Sequence, residues 1–135
     1  MSENANCELE GLFYPKTIAV VGASPFSHDF RWGGKTFIEG LVKQNFLGKV
    51  CPVHPKAENV LGLKAYKNVR DIPYDIDLAI FSIPAPAVLR VMEDCAAKGV
   101  KFVHIFTAGF SETGLEDRIQ LEKDIVSLAR ESGIR

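Results

Sequence analysis

The stretch Thr17-Ile-Ala-Val-Val-Gly22 decides the fold. Apolar, mostly β-branched residues without polar alternation are typical of a strand buried on both faces, and the glycine marks its end. Similar short apolar runs occur at Lys49–Val53, Asp77–Ile83 and Lys101–Phe106. The sequence therefore predicts four buried strands.

Segments with apolar residues at helical spacing separate these strands. They are Lys35–Phe46, Ala87–Lys98 and Glu116–Ser132. In the first, the stripe that includes Val42 is expected to face the core, and Gly48 is a plausible stop. Strands that alternate with helices predict an α/β fold with a doubly wound parallel sheet, in three α/β/α layers.

The chain of 135 residues is long enough for one domain with a real core. We expect an N-terminal lead-in over residues 1–12 and one domain over residues 13–135. The chain reaches Arg135 where a further strand of such a sheet should begin. We therefore expect this domain to be a piece of a longer chain.

Composition excludes several classes of function. A net charge of −1 argues against a nucleic-acid surface, and no apolar stretch is long enough for a membrane span. The acidic, polar N-terminus does not resemble a signal peptide. Cys7, Cys51 and Cys95 lack metal-site spacing and predict reduced thiols in a cytoplasmic protein.

Ligands of open α/β sheets bind outside the carboxyl ends of the strands. The candidate segments are therefore Gly22-Ala-Ser24, His54-Pro-Lys56, Ile83-Pro-Ala-Pro86 and Thr107-Ala-Gly109. Gly22 would let the backbone turn tightly and approach a ligand, with loop N–H groups offering an anion site. Each segment also has the plainer interpretation of an ordinary strand-to-helix turn.

The residues of the second loop, His54-Pro-Lys56, indicate the kind of ligand. A typical NAD site carries a carboxylate after its second strand and a G-x-G-x-x-G pattern in its first loop. Neither is present here, and Lys56 stands where the carboxylate would be. A lysine attracts phosphate, which favours a ligand with an additional phosphate, such as NADP or coenzyme A.

The third and fourth loops suit a narrow ligand. Pro84 and Pro86 offer an apolar wall for an adenine face or a pantetheine arm. Thr107-Ala-Gly109 combines a hydroxyl group, small side chains and free backbone groups. Neither loop alone outweighs an ordinary turn.

Candidates for catalysis are few, and we assign no catalytic or metal-binding residue. His104 lies within the fourth predicted strand, where a packed or capped histidine is expected. His54 lies at a strand end and could touch a ligand. His28 beside Asp29 is a possible acid–base couple, and Arg31 could meet a phosphate, but solvated side chains are the simpler interpretation.

Several motifs together resemble the N-terminal CoA-binding domain of the NDP-forming acyl-CoA synthetases, such as the ADP-forming acetate–CoA ligases and, more distantly, the succinyl-CoA synthetase alpha subunit. Their order and spacing carry the resemblance from about residue 12 onward. They are Phe13–Ser24, Gly48–Lys56, Leu61–Tyr66, Asp71–Pro73, Asp77–Ala79, Ile83–Ala85 and Thr107–Gly114.

The resemblance implies a Rossmann-like domain that binds coenzyme A or an acyl-CoA. The family's nucleotide loop matches Gly22, Ala23 and Ser24, and its CoA-binding lysine matches Lys56. Its apolar third loop matches Ile83 and Pro84, and the loop near the thiol end matches Thr107, Ala108 and Gly109.

The resemblance also implies an activity and partners. The family converts acyl-CoA, phosphate and an NDP reversibly into the free acid, coenzyme A and an NTP, through a phosphohistidine on a later domain. That domain is missing from this chain, so turnover by these residues alone is doubtful. The remaining domains or subunits of the ligase would be partners, and an oligomer is possible.

Two other functions stay open at this point. One is the NAD(P)-binding domain of an oxidoreductase, which NADPH binding with indifference to CoA would support. The other is a non-catalytic, CoA-responsive module with the same pocket.

Overall fold

A computed structural model describes residues 8–25 and 33–135, so Cys7, His28, Asp29 and Arg31 lie outside the described residues. The strands are β1 (Thr17–Val21), β2 (Lys49–Val53), β3 (Asn59–Val60), β4 (Leu63–Lys64), β5 (Leu78–Phe81) and β6 (Phe102–Ile105). The helices are α1 (Glu10–Phe13), α2 (Gly34–Lys43), α3 (Ala85–Lys98) and α4 (Glu116–Ser132), with 3-10 turns at Val69–Asp71 and Ser111–Thr113.

The main sheet has the order β2-β1-β5-β6, and every neighbouring pair is parallel. From β1 the chain moves to one side to form β2 and then returns past β1 to form β5. The switch point therefore lies between β1 and β5. The predicted doubly wound parallel sheet is confirmed, and β3 and β4 form a separate antiparallel hairpin.

Two buried clusters cover the two faces of the sheet, because alternate residues of each strand point in opposite directions. On one face, Val21 and Phe81 pack with residues of α3 and α4. On the other face, Val20 and Ile80 pack with Ile38 of α2. The predicted three-layer arrangement follows from these two clusters.

The bounds of β2 and α4 are those predicted, whereas α2 ends earlier than its apolar pattern indicates. The helix stops at Lys43, and Asn45 adopts a left-handed φ of 53°. Val42 lies within the helix but is 56% exposed, so its predicted place on the core-facing stripe is wrong. Gly48 is also not the stop of this helix, because the helix ends at Lys43. Glycine is needed at residue 48 for another reason: a side chain there would collide with the carbonyl of Lys16 and the ring of Phe46.

The expectation that His104 is packed is wrong as well. In the four-stranded sheet β6 is an edge strand, and His104 is exposed. Its ring meets that of Phe37 edge-on, with 6.5 Å between the centroids. A pattern of apolar neighbours does not tell an edge strand from a central one.

Both ends of the described chain contact the domain. Leu12 of α1 packs against the cluster around Val20, and Arg135 pairs with Glu8 at 2.9 Å. Arg135 also donates its backbone N–H to Lys101 (3.0 Å) and accepts from Val103 (2.8 Å), which is the pattern of a parallel ladder beside β6. The division at residue 13 stays a prediction. Within residues 8–25 and 33–135, no helix has the length and apolar character needed to cross a bilayer.

Candidate functional site

The candidate site is the edge of the main sheet at which its four strands end, called the carboxyl rim below. Backbone hydrogen bonds extend the ladders into this rim: Gly22 donates to Val53 (3.0 Å), and Ser82 donates to Val21 (2.8 Å). Phe106 likewise continues the ladder of β6 with β5. The four loops that hold all nine predicted site residues therefore begin at this one rim.

The loop after β1 turns at Gly22, whose φ of +91° favours glycine. An added Cβ would lie 2.9 Å from Ile83 Cγ2 and closer still to the carbonyl oxygen of Ser82. Ala23 is fully buried, so its side chain and its backbone are both covered by the protein. Helix α2 begins against this loop, because a Cβ on Gly34 would lie 2.7 Å from the nitrogen of Ala23. The start of α2 thus adds its N–H dipoles to the site.

The loop after β2 presents Lys56 as an exposed cation. Among residues 8–25 and 33–135, no carboxylate lies within ion-pair distance of its ammonium group. Its backbone N–H donates to the Nδ1 atom of His54 at 3.2 Å. Lys56 is therefore held at the backbone while its charge remains available to an anionic ligand.

The loops after β5 and β6 are joined by one side chain. The Thr107 hydroxyl donates to the Ile83 carbonyl at 2.7 Å. Pro84 precedes the first turn of α3 and is exposed, and its role as an apolar wall for a ligand stays a prediction. The hydroxyl oxygen of Thr107 keeps a lone pair for a ligand donor.

The backbone of the fourth loop is not free as expected from the sequence. The Glu112 carboxylate accepts from the N–H groups of Gly109 and of Phe110, the latter at 2.9 Å. The bond from Gly109 in particular holds the pKa of Glu112 below its ordinary value. Arg118 donates to the Gly109 carbonyl at 3.3 Å, and Glu122 accepts from Ser111 at 3.0 Å. These side chains fix the loop internally.

A hollow of 240 Å³ lies among the ends of β1 and β2, the loop after β5 and helix α3. Most of its walls are aliphatic, from Val21, Val53, Ile83, Ala87 and Val91, and Gly22 forms part of its floor. Such a mainly apolar cleft with a few polar groups is typical of a small-molecule site. Two of the predicted residues, Gly22 and Ile83, therefore line one cavity.

Sequence reasoning missed Lys67, which lines this hollow. A parallel bridge between Val53 and Tyr66, which lies just after β4, brings this lysine to the rim. Asp94 also lines this hollow, and it accepts from Asn68 Nδ2 and Arg70 Nε at 2.8 Å each. No pattern in the sequence indicated Lys67, because its position depends on the pairing of Tyr66 with Val53.

A larger hollow of 640 Å³ lies at the opposite, amino-terminal rim. It is formed by the segments 13–17 and 46–49, which include the first residues of β1 and β2. Among the described residues of the loops that follow the strands, none lines it. Because ligands of open parallel sheets bind at the carboxyl ends, the smaller hollow is the better candidate.

A doubly wound sheet with a glycine turn after β1, an available lysine after β2 and an apolar cleft at the switch point defines a nucleotide-binding domain of the Rossmann-like class. Residues 16–135 match the family model of the CoA binding domain. The chain belongs to this family, and the resemblance stated from the sequence is confirmed.

Known proteins agree with this assignment. The chain is 41% identical over 131 residues to "Acetate--CoA ligase [ADP-forming] II" of Archaeoglobus fulgidus, covering 95% of this chain and 18% of that protein. It is 43% identical to the subunit alpha of "Acetate--CoA ligase [ADP-forming] II" of Pyrococcus furiosus, covering 94% of this chain and 27% of that subunit.

A solved structure shares the fold closely. It is the dinucleotide-forming acetyl-coenzyme A synthetase 1 of Ca. Korarchaeum cryptofilum, in complex with phosphate and ADP, with a TM-score of 0.85 and 42% identity. The match covers 94% of this chain and 26% of that one. The chain is thus a CoA-binding domain of the type found in ADP-forming acyl-CoA synthetases, and it spans about a fifth to a quarter of these relatives.

Proposed function

We propose that this domain holds coenzyme A for an ADP-forming acyl-CoA synthetase. The whole reaction would convert acyl-CoA, phosphate and a nucleoside diphosphate reversibly into the acid, coenzyme A and the triphosphate. This domain would bind and orient the carrier, and groups outside it would supply the chemistry. The match of residues 16–135 to the CoA-binding family is the observation that carries the proposal.

The carboxyl rim suits each part of coenzyme A. The adenine ring would lie in the hollow against the aliphatic walls of Val53 and Ile83. Lys56 would meet the ribose 3′-phosphate, and the backbone around Gly22 with the start of α2 would meet the diphosphate. The pantetheine arm would pass Pro84 toward Thr107, Ala108 and Gly109.

The decisive experiment is isothermal titration calorimetry with coenzyme A, acetyl-CoA, NADH and NADPH. We expect both CoA ligands to bind and the affinity to fall as salt rises, because the ligand is polyanionic. NADPH binding with indifference to coenzyme A would support the oxidoreductase alternative instead.

Lys56→Ala tests the site within the same experiment. We expect it to weaken CoA binding by about 1–3 kcal/mol, the scale of a lost charged hydrogen bond. Lys123→Ala removes the same charge from an exposed position on α4 and is the matched control. Equal affinities for wild type, Lys56→Ala and Lys123→Ala would contradict the assignment of Lys56.

One observation favours a second function, a CoA-responsive module without turnover. The fold also occurs in a conserved hypothetical protein from Pyrococcus furiosus, with a TM-score of 0.68 and 26% identity. There the match covers 90% of that chain, so the fold occurs with few additional residues. Conversion of ADP and phosphate into ATP that depends on an acyl-CoA, catalysed by the natural gene product with this domain present, would separate the ligase from the module.

The proposal extends to partners and location. Further domains or subunits of the ligase are the expected partners, since the relatives are several times longer than this chain. A cytoplasmic location agrees with the two described cysteines, Cys51 and Cys95, which are free and buried.

A further inference from the structure

The turn after β2 is closed by a side chain rather than by the backbone alone. The imidazole Nδ1 atom of His54 accepts the N–H of Ala57 at 3.0 Å and the N–H of Lys56 at 3.2 Å. Between them, Pro55 has a fixed φ and no N–H to donate. Both amide donors of this turn therefore converge on one nitrogen atom.

The two ends of the turn are anchored in the domain. On one side, the backbone N–H of His54 donates to the Tyr66 carbonyl at 2.9 Å. On the other side, Ala57 is 6% exposed and belongs to the cluster around Val20 and Ile38. Pro55 and Lys56 are the exposed residues between these anchors. The turn therefore sets the direction in which the Lys56 side chain leaves the backbone.

The chemistry of the imidazole suits this task in one form only. Nδ1 accepts hydrogen bonds when the ring is neutral and its proton is on Nε2. Asparagine and aspartate side chains commonly close turns by accepting backbone N–H groups two residues on. His54 therefore does with a ring nitrogen what these residues do with an oxygen.

From this arrangement we infer that His54 is a positioning residue for Lys56 and thereby a determinant of selectivity for the ribose 3′-phosphate. The inference rests on the proposed function, in which Lys56 meets that phosphate. This role differs from a general structural role of His54. Loss of the His54 side chain should weaken the binding of ligands that carry the 3′-phosphate and leave the binding of ligands without it unchanged. Dephospho-CoA, which lacks only that phosphate, is the discriminating ligand.

The experiment measures the affinities of coenzyme A and dephospho-CoA by calorimetry. His54→Ala should weaken CoA binding roughly 3- to 10-fold, the scale of a lost neutral hydrogen bond, and change dephospho-CoA binding less than about twofold. His54→Asn should restore most of the affinity, because its oxygen can accept the same N–H groups. His104→Ala, an exposed histidine on β6, should change neither affinity.

A double-mutant cycle shows whether His54 acts through Lys56. In the Lys56→Ala background, His54→Ala should cause little further loss of CoA affinity, since the positioned charge is already gone. Additive losses, an equal loss for both ligands, or an unchanged CoA affinity in His54→Ala would each overturn the inference.

Two further readouts keep the outcomes distinct. If His54→Ala does not fold, His54→Asn and His54→Gln are compared instead. Asparagine can accept the N–H groups of the turn as His54 does, whereas the longer glutamine does not match the geometry of the turn. Asparagine is then expected to keep the preference for CoA over dephospho-CoA, and glutamine to lose it; equal preferences would overturn the inference. Absence of CoA binding to the wild-type protein would instead refute the proposed function.

Discussion

Gly22 carries the chain from β1 into the binding rim in a conformation that other residues rarely adopt. Its φ is +91°, and an added Cβ would run into the Ser82 carbonyl and the Ile83 side chain. Gly22→Ala should therefore destabilise the fold by more than the roughly 1–3 kcal/mol that a strained backbone conformation alone costs. The measurement is the midpoint of urea unfolding followed by circular dichroism.

Gly114 provides the control for this prediction. It has a comparable φ of +73°, but an added Cβ would meet nothing within 4 Å. Gly114→Ala should show the conformational cost alone, about 1–2 kcal/mol. Equal losses for the two variants would show that close contact with the loop after β5 is not what requires glycine at residue 22.

The two described cysteines should be inert in the folded protein. Burial raises the pKa of Cys95 to about 12, with a smaller contribution from Asp94, and burial also raises the pKa of Cys51. Thiolates are the reactive species, so both thiols should resist a disulfide reagent at pH 8 and react after denaturation. The measurement uses a Cys7→Ser background, and rapid stoichiometric labelling of the native protein would contradict it.

At the residue scale, the sequence predicted where residues lie relative to the strand ends better than it predicted whether they are buried or exposed. Gly22 and Lys56 follow directly from where strands end, and both lie on the carboxyl rim. The burial of Ala23 and the exposure of His104 depend on which helix packs nearby and which strand is at the edge. Those are properties of the assembled sheet, which short-range patterns do not encode.

At the scale of elements, the loop between β6 and α4 depends on carboxylates. The N–H groups of Gly109 and Phe110 bind Glu112 and lower its pKa, and hydrogen bonds from Ser111 lower that of Glu122. Each stabilises the folded state while ionised. This contribution is present above the ordinary pKa of 4.5 and is lost as pH falls through the lower folded value.

Glu112→Gln should therefore flatten the acid side of the stability profile. An amide offers one accepting oxygen in place of two, so the variant loses part of the hydrogen bonding to Gly109 and Phe110 at neutral pH. Its stability should therefore fall less than that of the wild type as the pH is lowered. Thermal melting between pH 7 and pH 3 measures the difference, which should be small because the carboxylate is exposed. Glu131→Gln, at the far end of α4, is the control and should leave the slope unchanged; a slope equal to wild type in Glu112→Gln would refute the role.

How well the end of a helix could be predicted from the sequence depended on whether a local signal or tertiary packing ends it. Helix α4 has its predicted bounds because Gly133, at φ +71°, closes it with a local signal. Helix α2 ends at Lys43 although its apolar spacing continues to Phe46. There the chain leaves the helix through Asn45 so that Phe46 can pack beside β1 and β2, and tertiary packing overrides the pattern.

At the scale of the whole molecule, the two ends of the sheet differ in character. The carboxyl rim holds the loops with the glycine turn, Lys56 and the apolar hollow. The amino-terminal rim exposes large apolar side chains, with Phe13 69% and Leu47 99% accessible. The sequence predicted parallel strands, and the common direction of their ends follows from that. The order β2-β1-β5-β6, which brings the loops after β1 and β5 together, required the structure.

This polarity makes a prediction for hydrogen exchange. Saturating coenzyme A should slow backbone exchange at short labelling times in the segments 22–25, 54–57, 83–87 and 107–110, because a bound ligand suppresses local opening. Segments 13–17 and 46–49, which line the larger hollow, should exchange as in the free protein and serve as the internal control. Within the fourth loop, the N–H groups already held by Glu112 should change least. Protection confined to the amino-terminal rim would move the CoA site to the opposite edge of the sheet and overturn the assignment of Lys56 with it.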